Sequence, residues 1–185
     1  MTVIPDIQTF FAQSRTFGFS KKYNFQISNI TNAPVPINAG VLLYAQSTSV
    51  PSRGINTTKV PYKAFDFVVP TNANFPDQNR WKITFFSDDK QYIRSLFEAW
   101  SNALYDPLTN QSTGTIANDA FNGFTSCNLD LDLLSENKAK VIRTYKLQGV
   151  FPTLIEGVEY DISDTGTNVV KLPVILAFQY FTVTA

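Results

Sequence analysis

The chain has no histidine, one cysteine, one methionine and no excess of charge of either sign. Without histidine, Ser-His-Asp and Cys-His constellations, imidazole proton shuttles and histidine metal sites are excluded. Cys127, being alone, can form neither an intrachain disulfide nor a cysteine zinc site. Fifteen Lys and Arg balance fifteen Asp and Glu, whereas a dedicated nucleic-acid binder carries a basic surplus. The same balance leaves little whole-molecule repulsion to oppose self-association. The longest apolar run lies near LPVILAF, far short of the ~20 residues of a membrane-crossing helix. The start, MTVIPDIQTFF, lacks a basic segment and is interrupted by Pro5 and Asp6, so it does not read as a signal peptide. A soluble protein made and used without export is expected. There is no G-x-x-x-x-G-K, no G-x-G-x-x-G and no basic stripe.

What is present is apolar and aromatic: 44% hydrophobic residues with sixteen Phe and eight Tyr in 185 positions. That is enough for one sizeable core without staples, and a single domain over 1–185 is expected. The organising stretch runs from Trp81 to Pro107. WKITFFS places Trp81, Ile83 and Phe85 on one face of a strand. Asp88 is placed to cap a helix, with Gln91 at capping-box spacing. Ile93, Leu96, Phe97, Trp100 and Leu104 then recur at helical spacing, while Lys90, Arg94, Glu98 and Asn102 take the opposite face. Pro107 ends the run by pushing Asp106 out of the helical region. These five apolar residues predict one long core helix packed on a sheet.

The rest of the chain reads as strands. A short helix is expected over 5–12, with Ile7, Phe10 and Phe11 on one side of an N-terminal arm spanning 1–20. Tyr23, Phe25 and Ile27 alternate with polar residues as a half-buried strand. NAPVPINAG is a connector, and Gly40 to Ser49 is expected as a second strand. Pro51-Ser52-Arg53-Gly54 is a turn signal. With VPYKAFDFVVP it predicts a long hairpin over 41–69 whose projecting tip is 50–61. Residues 108–126 form a polar, small-residue insert. CNLDLDLL alternates Cys127, Leu129, Leu131 and Leu133 with Asn128, Asp130 and Asp132. VIRTYKLQGVFP is a strand leaving at Gly149, and VEYDIS is a candidate for another. VVKLPVILAFQYFTVTA should lie centrally in a sheet, with Pro173 marking an irregularity near its start.

Several clusters invite chemistry and read better as structure. Asp130 and Asp132 present paired carboxylates, but acid–base work needs them across a cleft. Asp161 to Gly166 resembles the start of a calcium loop, yet the twelfth position is Leu172 instead of glutamate. Glu156, Glu159, Asp161 and Asp164 read as a solvated acidic face, and Arg53 as a solvated turn residue. Phe178, Tyr180 and Phe181 fit a mixed core and interface strand better than a base- or sugar-stacking platform. No enzyme activity and no cofactor are expected.

VPYKAFDFVVP, WKITFFSDDKQYIRSLFEAW and LQGVFPT, in that order, resemble the tail tube protein family of contractile-tailed bacteriophages. The matching positions are Val60 to Tyr62, Trp81 to Thr84, Asp88 and Asp89, Trp100, and Gly149 to Thr153. SVPSRGI is similar to the proline turn that the family places in its long hairpin. The resemblance covers most of the chain from Asn24 onward; the 108–126 insert is longer than the family pattern, and the N-terminal arm matches poorly. It implies a mainly β fold of two packed antiparallel sheets with one flanking helix. It also implies a structural subunit: six copies close into a ring, the inner sheets join as one barrel, and rings stack into a tube that conducts the genome. Implied partners are further copies of itself, sheath, baseplate or initiator and terminator proteins, with DNA only in passage and no membrane insertion. The implied location is the virion tail, assembled in the host cytoplasm. A tube initiator, a non-phage contractile injection tube and, from another class, a β-sandwich carbohydrate-binding module are the alternatives.

Two sets of residues follow as expectations. Pro51, Ser52, Arg53, Gly54, Ile55, Asn56, Thr57 and Thr58 are candidates for contact between rings, because this polar, turn-rich stretch has no evident core role. Asn128, Asp130 and Asp132 are candidates for the lumen, since a basic wall would capture phosphates through counterion release. Arg143 and Lys146 compete for that wall, but strand parity puts them on opposite faces.

Overall fold

The computed structural model describes residues 6–109, 111–112, 126–161, 163, 166 and 168–184. Asp6 caps α1 (Ile7–Phe17): its carboxylate accepts the Thr9 N–H at 2.7 Å, and Gly18 at φ 65° ends the helix. The helix is longer than 5–12 predicts. Its Ile7, Phe10 and Phe11 are exposed. In β1 (Phe25–Thr31) a bulge between Ile27 and Asn29 shifts the alternation by one residue. Ile27 and Ile30 therefore both reach the core, while Tyr23 lies outside the strand and is exposed.

The expected strand from Gly40 is half helix. Asn38 accepts the Val41 N–H through its side chain at 3.1 Å and nucleates α2 (Ala39–Leu42), so only Ala45–Thr48 extends, as β2. The hairpin is also displaced. Among the described residues β3 (Gly54–Tyr62) pairs only with β4 (Phe65–Asn74), and the chain reverses at Lys63 and Ala64, with Lys63 at φ 57°. The predicted tip at 50–61 is thus mainly the outgoing strand of the arm.

β5 (Trp81–Phe86) leads into α3 (Tyr92–Leu104). Asp88 does cap this helix, accepting the Tyr92 N–H at 2.9 Å and the Ile93 N–H at 3.0 Å. Gln91 plays no capping-box part: it occupies the N-cap position itself, in left-handed backbone, without a side-chain capping bond. Ile93, Leu96, Phe97 and Trp100 are buried, and Leu104 packs partly buried against them. Phe97 lies between Phe85, at a ring distance of 5.2 Å, and Trp100, at 6.0 Å. Burying each such side chain contributes roughly 1.5–3 kcal/mol. The helix ends before Pro107, where β6 (Tyr105–Asp106) pairs with β7 (Gln111–Ser112). Most of the 108–126 insert lies outside the described residues.

β8 (Asn128–Leu134), β9 (Val141–Gln148), β10 (Phe151–Ile155), β11 (Lys171–Ala177) and β12 (Tyr180–Thr184) complete the architecture. Two four-stranded antiparallel sheets result, in the orders β1-β8-β9-β12 and β10-β11-β5-β2. The C-terminal apolar run is two strands in different sheets. It breaks at Phe178 and Gln179, whose N–H groups bond to the Gln78 and Gln148 carbonyls. β11 is central, as expected, and Pro173 fits there because its carbonyl accepts the Glu156 N–H just past the end of β10. In an extended residue N and O point to the same side, so the missing donor faces no strand. One core joins Ile27, Leu129, Leu131 and Leu147 of the first sheet to Ile83, Phe85, Val174 and Leu176 of the second, with α3.

The cap generates a pH dependence. Desolvation pulls the Asp88 carboxyl upward, but the Ile93 and Tyr92 N–H groups outweigh it and hold it below its ordinary value. A depressed folded value supplies stability in full above the unfolded value of about 3.9, and that stability drains as pH falls through the folded one. Asp88→Ala should cost about 0.5–2 kcal/mol at neutral pH. In denaturant titrations of the dispersed chain the gap should narrow as pH falls below the unfolded value; a gap independent of pH would mean the carboxylate charge contributes nothing to the cap.

Candidate functional site

The first sheet turns one face to the core and the other mainly to polar side chains, with apolar Leu134, Val141 and Ile142 at the bulged end of β8 and β9. Three rows cross it: Thr31, Asn128, Gln148 and Tyr180; Asn29, Asp130, Lys146 and Thr182; Gln26, Asp132, Thr144 and Thr184. Asn128, Asp130 and Asp132 therefore share the face away from the core, as the alternation predicts. Arg143 is opposite Leu133 on the core-side parity, whereas Lys146 sits directly opposite Asp130. The face thus carries two aspartates against one lysine. Asp132 is only 6% exposed and accepts from Gln26 Nε2 at 3.2 Å and Thr144 Oγ1 at 2.5 Å. It ties three strands together.

The β3–β4 arm is a second unpartnered surface. Its register puts Thr58, Val60 and Tyr62 beside Val69, Phe67 and Phe65 on one face. All five apolar side chains there are exposed, Phe65 to 72%. Monomeric soluble proteins rarely leave such a contiguous apolar strip uncovered. Of the residues expected at the tip, Pro51 is buried, and Ser52 donates through N and Oγ to Asp77, which holds that carboxyl below its ordinary range. Arg53 is exposed, and Gly54, Ile55, Asn56, Thr57 and Thr58 form the stem of β3. The apolar strip at 60–69 was missed. Its signal is the phase slip from Tyr62 to Phe65, which marks a two-residue turn without glycine or asparagine.

Among the described residues the outermost strands of the sandwich pair with another strand on one side only: β1 and β12 in the first sheet, β2 and β10 in the second. Strand direction alternates across the first sheet, so β1 and β12 run oppositely. The other clusters offer no comparable geometry. Asp161 spends Oδ1 on the Ser163 N–H and Oγ, closing a turn on itself. Among the described residues no group of three or more His, Cys, Asp or Glu is placed to hold a metal, and no helix is long and apolar enough to cross a membrane.

A polar sheet face, open edges that can continue an antiparallel sheet and an uncovered arm describe a building block. A sequence model of the family "Phage tail tube protein" matches residues 6–184. The chain belongs to the phage tail tube protein family. It is a structural subunit of a tail tube. No curated protein matches the sequence. Among solved structures, a chain of the tube-terminating cap of the anti-feeding prophage superposes with TM-score 0.60 at 14% identity, over 90% of this chain and 91% of that one. A chain of the 6-fold symmetrised baseplate of the same particle gives TM-score 0.60 at 14% identity, over 90% and 95%. A chain of the extended sheath-tube complex of the PVC extracellular contractile injection system gives TM-score 0.58 at 14% identity, over 94% and 97%. At such identities the likeness is one of fold, here the tail tube fold.

In this tail tube protein Asp132 and Asp130 share a face but not a task. Asp132→Ala should cost about 1–3 kcal/mol by leaving Thr144 and Gln26 without their acceptor. Asp130→Ala should stay within about 0.5 kcal/mol. Urea denaturation of the dispersed chain checks both, and equal losses would contradict the assignment.

Proposed function

We propose that six copies close into a ring through the free edges of the first sheet, and that rings stack into a hollow conduit for DNA in a contractile tail. The observation that carries this reading is the mainly polar sheet face bounded by two edges of opposite direction. Setting β12 of one copy beside β1 of the next continues the antiparallel pattern. Closure removes the edges that would otherwise recruit strands without limit. Six copies of four strands make a barrel of about 24, wider than the 16–18-stranded barrels that already leave an aqueous channel. The polar face then lines the lumen, with Asn128, Asp130 and Asp132 on its wall. Its sparse and nearly balanced charge gives passing phosphates little to bind. The six-fold baseplate of the anti-feeding prophage supports the copy number by analogy of fold.

The arm gives stacking its contact: the strip of Val60, Tyr62, Phe65, Phe67 and Val69 docks on the adjacent ring. Sheath, baseplate and terminator proteins are the further partners, in keeping with the assemblies from which the similar folds come. The site of action is the tail of the virion, reached by assembly in the host cytoplasm.

Asn128→Lys with Asp130→Lys should leave tubes able to form while making them retain DNA at low salt and release it as salt rises. Tubes carrying both lysines that retain no more DNA than the wild type would remove this sheet from the lumen. Phe65→Ser with Phe67→Ser should leave six-fold rings that no longer stack. In electron micrographs, tubes of ordinary length from that variant would exclude the arm from stacking.

A further inference from the structure

A groove of about 910 Å³ runs along the flank where the β1 edge of one sheet meets the β2 edge of the other. Phe25, Phe86, Leu131 and Leu133 supply its apolar lining, and Lys21, Lys22 and Lys138 stand along it, all three exposed. Lys21 pairs with Glu136 at 2.8 Å, and Lys138 lies 5.0 Å from the Tyr23 ring centroid. Lys22 has no carboxylate partner among the described residues. Asn24 also lines the groove, 3% exposed, with neither amide atom hydrogen-bonded. Buried amides without partners are uncommon, so among the described residues Asn24 marks a polar position that a neighbouring surface could satisfy.

The opposite flank carries the complementary charge. There the β10 edge gives way to residues 156–170, which hold Glu156, Glu159, Asp161 and Asp164 and no Lys or Arg. Asp164 lies outside the described residues. Glu156 is paired with Lys82 at 2.7 Å; Glu159 is exposed with no cation beside it among the described residues. Both features sit at one end of the sandwich. β10 finishes where Ile155 pairs Val174, close to the Lys171–Phe86 pair, and Phe86 itself lines the groove.

We infer that the acidic 156–161 segment of one copy docks on the lysine-rimmed groove of its neighbour in the ring, Glu159 meeting Lys22 and Lys138. The inference rests on the ring proposed above. Joining β12 to β1 brings the β10 flank of one copy against the β2 flank of the next, with both charged features at the same level. Exposed pairs of this kind add little affinity and mainly set orientation and partner choice. The contact therefore makes association heterologous, flank to opposite flank, and disfavours pairing of two like flanks.

Charge reversal and cross-linking test it. Lys22→Glu with Lys138→Glu, and separately Glu159→Lys with Asp161→Lys, should each raise the protein concentration needed for rings by roughly tenfold or more. An equimolar mixture of the two variants should recover rings, because alternating copies restore every contact around an even-membered ring. A mere folding defect would not be rescued by mixing. Lys22→Cys with Glu159→Cys should give, on mild oxidation, a ladder ending at the hexamer. Cys127 need not be replaced, since burial pushes its thiol up to about 12. Wild-type protein that never forms rings would overturn the ring and this contact together. Rings that form normally in both reversed variants, without cross-linking, would overturn the contact alone. A ladder from Phe10→Cys with Lys22→Cys would instead put the neighbour's α1 in the groove, and would equally overturn it.

Discussion

Two four-stranded sheets packed face to face bury one side of each, and among the described residues their four outermost strands pair with another strand on one side only. That constraint governs the rest of the molecule. The core is complete within one chain: Trp81, Phe85, Phe97 and Trp100 are buried without help from a neighbour. Exposed edges, by contrast, carry unpaired backbone groups and invite further strands. An even number of antiparallel strands leaves the two edges of a sheet pointing oppositely, which suits head-to-tail closure. Folding within the chain and assembly between chains thus draw on different parts of the same structure.

The distribution of charge follows from that division. The face of the first sheet away from the core is polar in the three rows that cross all four strands and nearly neutral there, which suits a wall past which a polyanion slides. Further charges stand on the two flanks, Lys21, Lys22 and Lys138 with one carboxylate, Glu136, on the first, and Glu156, Glu159 and Asp161 with one lysine, Lys82, on the second. A net charge of zero over the whole chain conceals this separation. The apolar strip on the arm is distinct again, an exposed nonpolar surface of Val60, Tyr62, Phe65, Phe67 and Val69.

Much of this was legible in the sequence where a period ran unbroken. The spacing of Ile93, Leu96, Phe97 and Trp100 specified the buried face of α3, and the alternation in β8 put Asn128, Asp130 and Asp132 opposite the core leucines. Where local geometry interrupts a period, reading failed. The bulge after Ile27 reset the phase of β1, and a single side-chain bond from Asn38 turned the expected start of a strand into α2. The turn at Lys63 and Ala64 carries none of the usual turn residues, so the arm was placed too early in the chain. Nothing in the spacing of Asp132 distinguished it from Asp130. Their difference arises from Gln26 and Thr144, which neighbouring strands bring to Asp132.

The most direct measurement of the central claim is a cryo-EM reconstruction of the assembled protein at a resolution that traces strands. The account predicts a six-fold ring in which β12 of each copy pairs antiparallel with β1 of the next, and an inner wall presenting Asp130 and Lys146. A ring with the β10-β11-β5-β2 sheet facing the channel, or one in which β1 and β12 stay unpaired, would contradict it.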